Sequence, residues 1–288
     1  MDYSQLGSKR RKRSPHATRV RNKVGLLTLR VVMATVLITG FALFGAGMGL
    51  YLGIISNAEL ILPEEDFVIF EYRTSLIING HTGEEMHTLH AGHNHRFAPL
   101  SQMPDHLINA FIAIEDERFF EHNGIDIRGI GRAINTIIST GGARTEGAST
   151  ITQQLIKNIA GHFESDVVTK LQEQYQAVML ERWLTDLFRE AGYENPRDAA
   201  KRHILELYLN MINLGRQNYG VQAAALFYFG VDVSELTIAQ SAAIASITQN
   251  PSRFPPDTRP HSNWVRTQLV LDNMLRLNLS PKQNTQRL

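Results

Sequence analysis

Between Val24 and Ser56 the chain carries a single charged side chain, Arg30, and the 25 residues of Val31–Ile55 carry none. About 20 apolar residues in a row are enough to cross the hydrocarbon core of a bilayer, so this run restricts the fold more than any other feature. Ahead of it, residues 1–23 hold eight Lys/Arg against Asp2 alone, a balance of +7 that leaves −6 for the rest of a chain whose total is +1. Lys/Arg clustered just before a span are retained in the cytoplasm. The expectation is a cytoplasmic basic tail (1–23), a transmembrane helix (24–56) in the cytoplasmic membrane, and everything after it on the outer, periplasmic side. A basic arm can also bind nucleic acid, but its place beside a span points to membrane lipid and not to nucleic acid. A cleavable signal peptide is the competing reading, because Ser56-Asn57-Ala58 has a small-x-small pattern. The apolar core of a signal runs only ~7–15 residues, which favours an uncleaved anchor. Gly45, Gly49 and Gly53 recur every four residues, a spacing that suits close helix approach as well as the ordinary glycine content of membrane helices. With no cysteine in the chain, disulfides and thiolate metal sites are excluded.

After the anchor, the linker arm of residues 57–96 includes "DFVIFEYRTSLIINGHTGEEMHTLH", which mixes β-branched and aromatic residues with turn signals at Asn79-Gly80 and Thr82-Gly83. This predicts a short strand or hairpin. From Pro104 the apolar spacing becomes helical, with runs over about 105–120, 126–140, 149–160, 166–184, 198–214 and 237–249. Gly141-Gly142 and Gly147 punctuate a connection, and Pro251, Pro255 and Pro256 are read as ending the last strong helix. The fold class is therefore mainly α, outside a membrane, preceded by one transmembrane helix and a short β-containing arm.

Four stretches carry chemistry. "IEDERFFEHNG" (114–124) follows a helix whose packed face is Leu107, Phe111 and Ile114, so Glu115 and Asp116 fall at its end beside Phe119 and Phe120. "EGASTITQQLIKN" (146–158) begins a helix, and Thr150 with Gln153 fits a capping box. Its open N–H groups, with Gln153, Gln154 and Lys157 nearby, would suit a phosphate, although such caps are usually structural. "TKLQEQYQAVMLER" (169–182) places Lys170 and Glu173 three apart on a helix, where an exposed pair contributes roughly 0–1 kcal/mol. "KRHILELYLNMINLG" (201–215) buries Leu205, Leu209 and Ile212 and sets Glu206 and Asn210 together, which reads as a structural network.

In this order and spacing, the four stretches resemble the bacterial peptidoglycan glycosyltransferases, glycosyltransferase family 51, whose domain is lysozyme-like. The resemblance runs over residues 97–276 and includes "NYGVQAAALFYFG" and "LTIAQSAAIASITQNPSRF". The arm "SLIINGHTGEEMHTLH" is closer to the class A penicillin-binding proteins than to the monofunctional enzymes. The resemblance implies that Glu115 is the general base that takes a proton from the acceptor sugar hydroxyl. It implies that Glu173, with Lys170, assists departure of undecaprenyl pyrophosphate, alone or through a divalent cation (Mg or Mn) held at Glu173. It places Ser149, Thr150, Gln154, Lys157, Asn158 and Arg132 at the donor site and has Asp116, Phe119 and His122 hold motif one together within the substrate-binding set. A carboxylate against aromatic rings loses solvation of its charged form, which suits a proton acceptor.

The chain also departs from the family. Thr169 stands where the family has Arg, with Arg132 or Arg144 available to replace it, and Ala148 stands for a glycine. About fifteen extra residues, "LTDLFREAGYENPRD", separate motifs three and four. Neither Ser-x-x-Lys nor Lys-Thr-Gly occurs, so penicillin-type acylation is not expected of the chain as given, and residues 277–288 read as a truncated linker. The expected function is polymerisation of lipid II onto a growing glycan strand, alongside other cell-wall synthesis or division proteins. Two alternatives stay open: a lysozyme-like glycan hydrolase, since paired carboxylates also cut glycosidic bonds, and a catalytically weak membrane scaffold.

Overall fold

In a computed structural model of the 288-residue chain, the described residues are 15–56, 75–78, 85–89, 94–142, 147–160 and 167–279. The basic residues before Pro15, the two predicted hairpin turns, Arg144 and residues 280–288 lie outside them. The chain forms two compact units, one ending at Ala58 and the other comprising Glu59–Leu288.

The first unit is helix α1 (Pro15–Ser56). It starts nine residues before the predicted span and so takes in Arg19, Arg21 and Lys23. Within it, Leu27–Gly53 is long and apolar enough to cross a membrane, and large side chains such as Leu37, Phe41 and Phe44 stand exposed along its length. The hydroxyls of Thr35 and Thr39 donate to Val31 O (2.9 Å) and Thr35 O (2.8 Å), so neither needs water. The predicted hairpin is present as β1 (Ser75–Ile78) and β2 (Glu85–Leu89), antiparallel, with Leu76 opposite Thr88.

The second unit is mostly helical. A short parallel pair, β3 (Asn94–His95) and β4 (Asn218–Tyr219), closes its entry, with His95 stacked on Tyr219. Helix α2 (Asp105–Glu115) packs on α8 (Ile238–Ala245) and α9 (Pro260–Arg276). Helix α4 (Ile151–Ala160) packs on α5 (Val167–Glu190) and α6 (Pro196–Met211), which also pack on each other. α3 (Ile127–Ser139) and α7 (Val221–Phe229) complete the α-helices among the described residues. One contiguous apolar core runs through Leu107, Phe111, Leu155, Leu180, Ile204 and Ile244, with Phe111 edge-on to Tyr208 at 6.3 Å.

Several predicted boundaries shift for local reasons. α2 stops at Glu115, five residues early, because Asp116 leaves the helix at φ −159° and ψ 77°. The inserted residues lengthen α5 by six and end it in a tight turn: Gly192 adopts φ +82°, Tyr193 N–H donates to Phe188 O (3.0 Å), and the two rings meet edge-on. Pro251, Pro255 and Pro256 do not end the helical region, since α9 follows with Pro260 at its first position, where the missing N–H costs nothing. α3 buries only Gly129 and Ala133 and leaves Ile127, Ile134 and Ile138 exposed. The Glu206–Asn210 network is structural, as predicted. Leu100 N–H donates to Glu206 Oε2 (2.7 Å), and Asn210 exchanges two 2.9 Å bonds with the backbone of Ala98.

Candidate active site

The segment after α2 is organised by Asp116. This buried carboxylate accepts from His122 Nε2 (2.9 Å) and from the N–H of Ile151, the first residue of α4 (3.1 Å). The positive end of α4, expected to suit a phosphate, thus meets a carboxylate of the protein itself. Half of the predicted capping box forms. Thr150 Oγ1 accepts from Gln153 N–H (3.2 Å), but the Gln153 side chain donates to Gly124 O (3.2 Å), as does Thr150 Oγ1 (2.7 Å). Gly124 has φ +84°, and a Cβ there would lie 2.7 Å from the backbone of Ala177 and Val178. Only glycine lets this loop lie against α5.

Glu115, half-buried at the end of α2, has a donor at each oxygen. Gln154 Nε2 donates to Oε2 at 2.7 Å, and Thr248 Oγ1 donates to Oε1. Gln154 is held in turn by the Tyr208 hydroxyl, 3.0 Å from its Oε1. The immediate partners of Glu115 are thus an amide and a hydroxyl. The ring contacts of Phe119 are with Phe120, His122 and the Lys201 ammonium, 4.4 Å from the ring centroid. Phe119, grouped above with the substrate-binding residues, is fully buried and serves the packing of motif one.

Glu115 lines a cleft of about 520 Å³ with Asp116, Glu117, Arg132, Ser149, Thr150 and Arg276. Glu117 accepts from Arg118 (2.7 Å), Arg132 (2.5 Å) and Arg276 (2.9 Å), which ties motif one to α3 and α9. The hydrogen bond from Arg132, against the cost of burial and with help from Arg276, holds the Glu117 carboxyl down at about 2. Lys170 Nζ bridges Ser149 Oγ (2.9 Å) and Glu173 Oε2 (2.8 Å), and Glu173 is 7% exposed. The Lys170–Glu173 pair is therefore a link from α5 to the cleft wall and not an exposed ion pair. Lys157 and Asn158 lie half-buried in the last turns of α4, away from the cleft lining.

Glu173 offers a cation one carboxylate, already engaged by Lys170. Among the described residues no three His, Asp or Glu side chains gather where they could hold a metal. These residues form no all-protein cage for a cation, and a Mg or Mn ion at Glu173 would have to take most of its ligands from substrate phosphates.

Four residues that matter here carried no sequence signal. Thr248, in the turn after α8, and Arg276, the last residue of α9, reach motif one over separations of 133 and 159 residues. Glu181 and Lys201 form a buried pair at 2.7 Å, and Thr152 donates to the same Glu181 oxygen. Burial lowers the Lys201 pKa from its ordinary value, opposed by Glu181. An i, i+20 pair lies outside any helical periodicity.

Residues 82–275 match the family described as Transglycosylase. Penicillin-binding protein 1F of Bacillus subtilis (strain 168) is 34% identical over 224 residues, 78% of this chain and 29% of that one. The penicillin-binding proteins 1A of Haemophilus influenzae and of Escherichia coli (strain K12) are each 42% identical over 176 residues, 61% of this chain and 19% of theirs. The chain thus spans less than a third of these curated relatives. Among solved structures, a match to penicillin-binding protein 1A from Haemophilus influenzae covers 70% of this chain and 18% of that one, at 21% identity and a TM-score of 0.35. The match over two thirds of the chain, on a helical domain that brings motifs one and two to one cleft and bonds motif three to its wall through Lys170 and Ser149, makes this chain a member of the Transglycosylase family.

Proposed function

We propose that the chain is a peptidoglycan glycosyltransferase that polymerises lipid II and releases undecaprenyl pyrophosphate. The observation that carries this reading is that one cleft holds both the Glu115 carboxylate and the guanidinium groups of Arg132 and Arg276. A proton acceptor beside forked cationic donors suits a sugar hydroxyl attacking a carbon whose leaving group is a diphosphate. Glu115 takes the proton of the acceptor hydroxyl, that oxygen bonds to the anomeric carbon with inversion, and the bond to the diphosphate breaks. Lys170, set by Glu173 and Ser149, and the arginines receive the charge that develops on the leaving group. A hydrolase has no comparable use for these two guanidinium groups in the lining.

The membrane part of the proposal rests on α1 and on the exposed Ile127, Ile134, Ile138, Val167 and Val168 of the second unit. We read α1 as an uncleaved anchor with its basic end in the cytoplasm and the cleft outside, so that a lipid-linked substrate is met at the membrane surface. Other proteins of cell-wall synthesis are its expected partners. Incubation with labelled lipid II decides the matter on a gel. Polymer supports the transferase, while shortening of pre-formed strands would establish the hydrolase. With neither product, the scaffold reading would replace both.

A further inference from the structure

Thr248 falls within the stretch "LTIAQSAAIASITQNPSRF" but is given no role by the resemblance, yet it touches the carboxylate on which the proposed reaction depends. Its Oγ1 bonds to Glu115 Oε1 and also lies 2.9 Å from Ala245 O. A hydroxyl has one proton to donate and two lone pairs with which to accept. It can donate to only one of these oxygens at a time. The other carboxylate oxygen has a fixed partner. Gln154 Nε2 donates to Oε2, and Gln154 Oε1 takes the hydroxyl of fully buried Tyr208. Burial, ahead of the nearby charges of Glu115 and Asp116, raises the Tyr208 pKa well above its ordinary value. The phenol stays a donor, which keeps the Gln154 amide nitrogen facing Glu115. Oε1 is therefore the oxygen whose partner can reverse its role.

We propose that Thr248 is a positioning residue that serves both protonation states of Glu115 by turning its hydroxyl between Glu115 and Ala245. This rests on the reading of Glu115 as the base. Before reaction, Thr248 O–H donates to the ionised Oε1. The acceptor sugar's hydroxyl then gives its proton to Oε1 as its oxygen bonds to the anomeric carbon, and the diphosphate departs with the electron pair of the broken C–O bond. The new Glu115 O–H donates to Thr248 Oγ1, whose own proton now points to Ala245 O. Rotation of the Thr248 hydroxyl, with the new carboxylic O–H turning from the product oxygen toward Thr248 Oγ1, keeps these groups paired in both states, whereas a fixed N–H donor would be left facing the new O–H.

The test is steady-state polymerisation of lipid II by the full chain in vesicles, with Thr248→Val, Thr248→Ala, Thr248→Ser and Glu115→Gln compared. Thr248→Val is close to isosteric and lacks the hydroxyl. It should lower kcat about ten-fold while KM and the melting temperature stay near wild type. Thr248→Ala should show the same loss of kcat, which guards against a packing defect peculiar to valine. Thr248→Ser restores the hydroxyl and should recover most of the rate. A wild-type kcat in Thr248→Val and Thr248→Ala, with Glu115→Gln inactive, would overturn the role of Thr248 and leave the base in place. Serine as slow as valine would overturn it too. A wild-type rate in Glu115→Gln would remove the base and this proposal together.

Discussion

At the scale of single residues, the pair Glu181–Lys201 shows how the site is supported from behind. Both side chains are almost fully buried, and Lys201 also sits over the ring of Phe119 in motif one. Removing one partner leaves an uncompensated buried charge, so Lys201→Ala should cost about 3–5 kcal/mol in a denaturant titration. Glu181→Leu combined with Lys201→Met should cost less than the sum of the single changes. Full additivity would show that the pair is not coupled. Thr169, in the first turn of α5 beside Lys170, makes a different point. A guanidinium there would add a planar fork of donors toward the leaving diphosphate. Charge-assisted bonds contribute roughly 1.5–3 kcal/mol, so Thr169→Arg should raise the polymerisation rate by about one decade. An unchanged rate would mean that Arg132 and Arg276 already meet that need.

At the scale of elements, Glu117 is where α3 and α9 are tied to the end of α2. Its carboxyl is held at about 2 against an ordinary 4.5, so the unfolded chain binds more protons than the folded one between those values. This contribution to stability is present above about pH 4.5 and is lost as the pH falls toward 2. Glu117→Gln should therefore flatten the acid limb of a stability–pH curve. An acid limb identical to wild type would show that the arginine ties do not stabilise the fold. How far these elements could be read in advance follows from their physics. α2, α4 and α5 were legible because each buries one face at helical spacing. α7 was missed because "VQAAALFYF" is apolar on nearly every side, which erases the period. α9 is hidden because Pro251, Pro255 and Pro256 read as a stop, while Pro260 opens a helix. Within the site, the pairing of Lys170 with Glu173 followed from their short spacing. Thr248, Arg276 and Lys201 did not, because tertiary packing alone brings them to their partners.

At the scale of the whole molecule, the second unit has its own core, so residues 57–288 should fold without α1 and melt close to the full chain. On vesicles that fragment should bind weakly and turn over lipid II more slowly, since it keeps exposed apolar side chains such as those of α3 and Val167–Val168 but no span. Equal rates with and without α1 would limit the anchor to localisation. The central claim is that the Glu115 carboxylate, held by Gln154 and Thr248 at the edge of a cleft that also holds Arg132 and Arg276, abstracts the proton that starts glycosyl transfer. It is tested most directly by the polymerisation rate of full-length Glu115→Gln in lipid II-containing vesicles, beside a melting curve of the same preparation. The account predicts a rate about 10²–10⁴-fold below wild type with stability unchanged. A correctly folded Glu115→Gln that polymerises lipid II at the wild-type rate would contradict it.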